Sequence, residues 1–214
     1  MAAAELLDEG GLPAVTIETV SARSGVSKPT IYRYWPNRTA VAIEAFAQHM
    51  AGHVPLAGTG DPRRDLAEQV RRVAAFYQTK AGTVFAQLLA ATVTDPQAAG
   101  RLRDQFLADR RADVTRLWQR AVDLGQARPG IGADIAIDVL FSPIVYRLLV
   151  GHAPFGPAEA AQLADAALGG LLNPAGPLGF QFFDHQLSLP LAPIATGRQR
   201  REEVVGAALL GIAS

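Results

Sequence analysis

"SGVSKPTIYRYWPNR", residues 24–38, sets three aromatic rings, two prolines and three cations into fifteen positions. Ser27 can cap a short helix, Pro29 suits its first turn, and Pro36 ends it after two turns. So short a helix cannot build a core alone, so Lys28, Tyr32, Arg33 and Tyr34 must serve something outside it.

Working outward, Thr16 caps a preceding helix, "TIETVSARSG", with Glu18 in the first turn where the helix dipole favours an acid, and Gly25 ends it. Before it, residues 2–9 form an apolar-acidic helix stopped by Gly10-Gly11. After it, Asn37 caps a fourth helix through "RTAVAIEAFAQHM". Leu6, Leu7, Val15, Ile17, Val20, Val26 and Ile31 are the expected core of this small unit. Helix, glycine turn and Ser-capped short helix make a helix-turn-helix, whose second helix is small enough for the DNA major groove.

Charge supports that reading locally. The chain has 20 Lys+Arg and 20 Asp+Glu, so no global field draws it to a polyanion. From Thr16 to Ala40, however, Arg23, Lys28, Arg33 and Arg38 face a single acid, Glu18, which leaves +3. Hydroxyls donate to phosphate oxygens and cations displace condensed counterions. The competing reading is a three-helix lid with solvated charges and partly buried rings.

The remaining composition excludes several classes. Cysteine is absent, which removes a disulfide framework, a thiolate metal site and a Cys nucleophile. "MAAAELLDEGG" is not a signal peptide, and no stretch reaches the ~18 apolar residues of a membrane span. The expectation is a cytoplasmic protein with no membrane partner.

Beyond residue 53 the helices lengthen. Asp61-Pro62 opens one with Leu66, Val70, Val73 and Tyr77 on a stripe. Asp95-Pro96 opens another, expected to run unbroken to Gly125. Residues 133–151 and 157–172 are two more, separated by "HAPFGP". Neither an internal repeat nor a strand pair is visible, so the fold class is all-α: a three-helix DNA-binding domain followed by a larger helical domain.

"AVTIETVSARSGVSKPTIYRYWPNRTAV" resembles the N-terminal DNA-binding domain of TetR-type transcriptional regulators. "LWQRAVDLGQARPGIGADIAIDVLFSPIVYRLLVGHAPF" is similar to the C-terminal ligand and dimer domain of one branch of that family. The resemblance implies a homodimer on a palindromic DNA operator, a repressor released when a small molecule enters the larger domain. It implies a DNA-binding domain over 1–45, a ligand-binding and dimerisation domain over 46–172, and an atypical Pro/Gly-rich extension over 173–214. Carried over by position, Thr16, Tyr32 and Arg38 contact phosphates, and Ser27 caps the helix at the groove. Lys28, Pro29, Thr30 and Arg33 face the groove, with Lys28 and Arg33 the base readers, and Tyr34 contacts backbone. Trp35 packs behind the helix, and Arg23 is a surface candidate.

Two departures accompany the match. Family members carry residues before the first helix, often with a cation for the minor groove. Here no Lys or Arg precedes Arg23, so either the start is set too late or one anchor is lacking; the first is favoured. Residues 173–197 hold four prolines, and "RQRREEVVGAALLGIAS" could form one amphipathic helix, although a loose extension is the simpler reading.

An apolar pocket is expected among Phe76, Tyr77, Phe85, Leu88, Leu89, Thr92, Phe106, Trp118, Phe141 and Tyr146. Tyr77, Gln87, Thr92, Trp118 and Tyr146 would be its polar handles. With no charged residue placed inside, the effector is expected to be neutral and hydrophobic. Stripes at Ile135, Val139, Ser142-Pro143 and Tyr146, and at Leu163, Ala167, Gly170 and Leu171, offer a dimer face. No cofactor is expected. An enzyme is disfavoured: His49 and His53 share a helical face but lack a third ligand, and no nucleophile pairs with His152 or His185. The alternative is a helical small-molecule-binding protein that no longer binds DNA.

Overall fold

The computed structural model describes residues 2–173; the "RQRREEVVGAALLGIAS" segment and the rest of the extension beyond Asn173 lie outside the described residues. Among the described residues the fold is helical, and an isolated bridge between Ala127 and Leu172 stands in place of any strand.

Four helices build the front of the molecule: α1 (Ala2–Ala14), α2 (Ile17–Ser24), α3 (Lys28–Tyr34) and α4 (Arg38–His53). Gly11 breaks α1 as the glycine pair suggests, with φ 66°. Thr16 and Thr19 close a reciprocal capping box at the start of α2, and Gly25 ends it in the left-handed region at φ 72°. Ser27 and Asn37 cap α3 and α4 through the N–H groups of Thr30 and Ala40. Leu6, Leu7, Val15, Ile17, Val20 and Ile31 are buried together. Val26 is not; at 39% exposed it is removed from the expected core. Its backbone holds the turn instead, accepting the Ser21 hydroxyl at 2.7 Å, so the side chain is left at the surface.

Behind these lie α5 (Pro62–Tyr77), α6 (Lys80–Thr94), α7 (Pro96–Arg101), α8 (Ala108–Asp123), α9 (Ala133–Val150) and α10 (Pro157–Leu171). Asp61 and Asp95 cap as their Asp-Pro signatures require. The long helix expected after Asp95 is interrupted, because residues Leu102–Leu107 form a π-helical turn between α7 and α8. Leu102 and Phe106 of this turn are both buried in the core.

Phe46 of α4 is the centre of the core. It lies 5.9 Å from Phe76, 5.6 Å from Phe85 and 5.3 Å from Phe106 between ring centroids, so rings from α5, α6 and the π turn close around it. The α5–α6 corner is tight. Gly82 sits where an added Cβ would collide with the Tyr77 carbonyl oxygen.

One charge is buried outright. Asp65, in the first turn of α5, accepts the Thr59 N–H and hydroxyl at 2.7 Å each and the Gly60 N–H at 3.1 Å, with Arg120 at 3.7 Å. Burial pushes its carboxyl up, but these donors outweigh burial and hold it below the usual carboxylate range.

Candidate nucleic-acid interface and inner cavity

α3 gives almost everything except Ile31 to the surface. Lys28, Pro29, Thr30, Tyr32, Arg33 and Tyr34 are all exposed, Tyr32 and Tyr34 by more than half. The Arg33 guanidinium lies 6.0 Å from the Tyr34 ring centroid, which joins cation and ring into one surface. Thr16 stands half-buried at the start of α2, and Arg38 is exposed at the start of α4. Trp35 turns inward; its indole N–H donates to Glu44 of α4 at 2.6 Å and anchors the end of α3.

Two of the four cations are neutralised at this surface. Lys28 meets Glu18 at 2.8 Å, and Arg23 meets Glu9 at 2.6 Å on α1. Lys28 lowers the Glu18 carboxyl from its ordinary value, and Arg23 does the same to Glu9. Arg33 and Arg38 enter no ion pair among the described residues.

A cavity of about 410 Å³ opens among α4, α5, α6, the π turn, α8 and α9. Of the expected lining it includes Tyr77, Phe85, Phe106, Phe141 and Tyr146. Phe76, Leu88 and Trp118 are buried in the core without facing it, and Leu89 and Thr92 lie away from it as well. Two expected polar handles are spent elsewhere: Thr92 donates to the Leu89 carbonyl at 2.7 Å, and Gln87 accepts the Leu12 N–H at 2.9 Å. Trp118 is a third, because its indole is packed in the core.

The expectation of an interior without charge is corrected. Asp65 is fully buried, and the cavity wall carries Arg110, Arg111, Asp113 and Asp138. Arg110 and Asp113 of α8 are largely covered, with side chains 24% and 25% exposed, whereas Asp138 of α9 is 56% exposed at the cavity's edge. The helical spacing of Phe106, Arg110 and Val114 puts Arg110 on an apolar stripe, which is the signal for it in the sequence.

The His49 and His53 rings lie 4.2 Å apart between centroids, tilted by 36°, and a ring nitrogen of His53 bonds the His49 carbonyl at 2.8 Å. Asp8 is the nearest acid to His49, at 3.8 Å. The pair therefore serves as packing between α4 and Phe76. No helix among the described residues is long and apolar enough to cross a membrane.

A helix-turn-helix with an exposed basic and aromatic second helix, joined to a helical body with an apolar cavity, defines a DNA-binding transcriptional regulator. The family descriptor "Bacterial regulatory proteins, tetR family" matches residues 1–45, and "Tetracyclin repressor-like, C-terminal domain" matches residues 56–167. The HTH-type transcriptional regulator YdeS of Bacillus subtilis (strain 168) is 33% identical over 149 residues, covering 70% of this chain and 75% of its own. The DNA-binding transcriptional repressor TetR of Mycobacteroides abscessus is 25% identical over 173 residues, 80% of this chain and 90% of its own. The crystal structure of the TetR family transcription regulator SCO0332 superposes with a TM-score of 0.74 at 32% identity, over 79% of this chain and 93% of that one. The chain belongs to the TetR family of transcriptional regulators, which act by binding DNA and not as enzymes.

Proposed function

We propose that this chain is a cytoplasmic homodimeric repressor whose two α3 helices read a palindromic operator and which releases it when a small molecule fills the cavity. In this reading residues 1–45 bind DNA and residues 46–172 bind effector and partner. Thr16, Tyr32, Tyr34 and Arg38 hold phosphates, while Lys28 and Arg33 reach base edges past Ser27, Pro29 and Thr30.

The observation that carries the effector half is a shared helix. Phe85 lines the cavity from α6, and Gln87 on the same helix grips α1 through the Leu12 N–H. Lys80 of α6 adds a bond to the Asp8 carbonyl at 3.1 Å. A molecule that favours one position of α6 thereby favours one position of the front helices, and differential affinity for the two positions is what shifts a population.

The dimer half rests on α9. Ile135, Val139, Tyr146, Leu149 and Val150 are each more than two-fifths exposed and leave an apolar strip without cover in one chain. The expected stripe on α10 contributes less, because Leu171 is buried within its own chain.

The test is a mobility shift with duplex DNA from upstream of the protein's own gene, with and without lipophilic compounds. The reading expects a specific complex that at least one cavity ligand weakens. A complex indifferent to every compound shown to occupy the cavity would contradict it.

A further inference from the structure

Two polar groups on the cavity wall, Tyr77 and Arg110, keep donors to spare. Tyr77, the last residue of α5, is 5% exposed, and its ring stacks on Phe85 at 4.8 Å with the planes 5° apart. Its hydroxyl makes no hydrogen bond among the described residues, yet no fully enclosed side-chain polar atom there lacks a partner. The hydroxyl therefore keeps open surface, and the space it borders is the cavity. Burial raises the phenol far above its ordinary value, so it stays protonated and can donate.

Arg110 supplies the second donor. It lies one turn beyond Phe106, and only 24% of its side chain is exposed. One guanidinium N–H donates to the Val54 carbonyl at 3.3 Å, and Asp113 stands off at 3.6 Å. Asp113 is itself held by Arg116 at 2.5 Å, so Arg110 retains free donors out of its five. Arg111 is different: Asp138 at 2.7 Å and Asp134 at 2.8 Å occupy it. Of the cavity's acceptors, Gln69 takes the Ala57 N–H at 3.1 Å, and the Asp113 and Asp138 carboxylates are paired with Arg116 and Arg111.

We propose that the molecule this cavity takes carries an acceptor-only oxygen head, a carboxylate or a carbonyl, held by the Tyr77 hydroxyl and the Arg110 guanidinium, on an apolar body against Phe85, Phe106 and Phe141. This rests on the reading of the cavity as the effector site. A volume of about 410 Å³ lies within the ~300–1,000 Å³ usual for small-molecule sites, toward its lower end. A ligand ending in an ammonium would meet two donors and leave both unpaired, and a plain hydrocarbon would leave them equally unpaired. A carboxylate head would depart from the neutral effector expected from the sequence, whereas a carbonyl head would keep to it.

The experiment measures displacement of Nile red from the full chain by compounds of matched length: decanoate, 2-undecanone, decylamine and decane. The acid and the ketone are expected to displace the dye at concentrations about tenfold or more below the amine. Tyr77→Phe should cut the preference of both over decane by about tenfold. Arg110→Met, which keeps an apolar stem, should reduce the preference for the acid more than for the ketone. Equal binding of amine and acid would overturn the proposal, as would unchanged preferences in both variants. Saturable dye binding that every chain displaces equally would sink the head chemistry alone. No saturable dye binding at all would remove the cavity reading and this proposal with it.

Discussion

Gln87, in the middle of α6, accepts the backbone N–H of Leu12 through Oε1 at 2.9 Å, across 75 residues of chain. The bond lands one residue past Gly11, whose φ of 66° and missing Cβ make room for the amide; a Cβ there would lie 2.9 Å from the same Oε1. A kinked helix at the front of the protein is thus held by a side chain from the cavity-bearing body.

Removing that side chain should be felt on both sides. Gln87→Ala leaves the half-buried Leu12 N–H unpaired, at a cost of about 1–3 kcal/mol. Thermal unfolding should begin several degrees earlier, and hydrogen exchange at the Leu12 amide should accelerate. An unchanged melting temperature with unchanged protection at Leu12 would show the bond to be idle.

Glu18 restrains Lys28 in the free protein. The pair is exposed on both sides and contributes little to folding, so breaking it should leave stability alone. Glu18→Gln should strengthen DNA binding, since it frees the Lys28 ammonium and removes an acid from the interface. Lys28→Ala should weaken binding and relax specificity at the base it reads, whereas Arg38→Ala should reduce the magnitude of the salt slope by ~0.9. Fluorescence anisotropy across a salt series reads all three, and weaker binding by Glu18→Gln would count against the assigned face.

Asp65 predicts an acid-limb signature. Its folded-state carboxyl is depressed, so its contribution to stability is fully present above the unfolded value of about 3.9 and is lost as pH falls through the lower folded value. Asp65→Asn should be less stable than wild type at pH 7, and the difference should narrow below about pH 4. Denaturant unfolding at stepped pH makes the comparison; a gap that stays constant into acid would refute the account of the Thr59–Gly60 loop.

Gly82→Ala should be severe. The new methyl would collide with the Tyr77 carbonyl and also approach Leu148 at 3.1 Å, and the first of these is backbone that cannot swing aside. Overpacking of this kind costs about 1–3 kcal/mol or more. A calorimetric melt of the variant indistinguishable from wild type would mean that the α5–α6 corner is looser than this packing implies.

Local chemistry made much of this fold legible from sequence. Thr16, Ser27, Asn37, Asp61 and Asp95 all cap where their residue types and neighbours place them, because a cap needs only the next three N–H groups. The Leu66, Val70, Val73, Tyr77 stripe is buried for the same reason: one helix period decides it. What sequence could not reach depended on how helices meet. The π turn at Leu102–Leu107 shifts the register of the residues around it by a fraction of a turn, which no apolar pattern announces. Gln87 lies on α6 like a pocket handle, and its partner 75 residues earlier exists only after α1 and α6 are packed. Leu88 and Trp118 are apolar enough for a cavity wall, but neighbours on every side consume them. Arg110 does sit on an apolar stripe in the sequence, but a charged residue there defaults to solvent, whereas here its stem follows the inner face of α8.

The central claim is that a dimer of this chain reads DNA through α3. Selection from a pool of random-sequence duplexes, in which no operator has to be chosen beforehand, tests it most directly. Wild-type protein, about twice the 22.7 kDa chain mass by light scattering, should enrich an inverted repeat whose half-sites lie about one helical turn apart. Arg33→Ala should abolish that enrichment while keeping the same melting temperature. Recovery of a pool no different from the starting one, or the same enriched repeat from Arg33→Ala, would contradict the account.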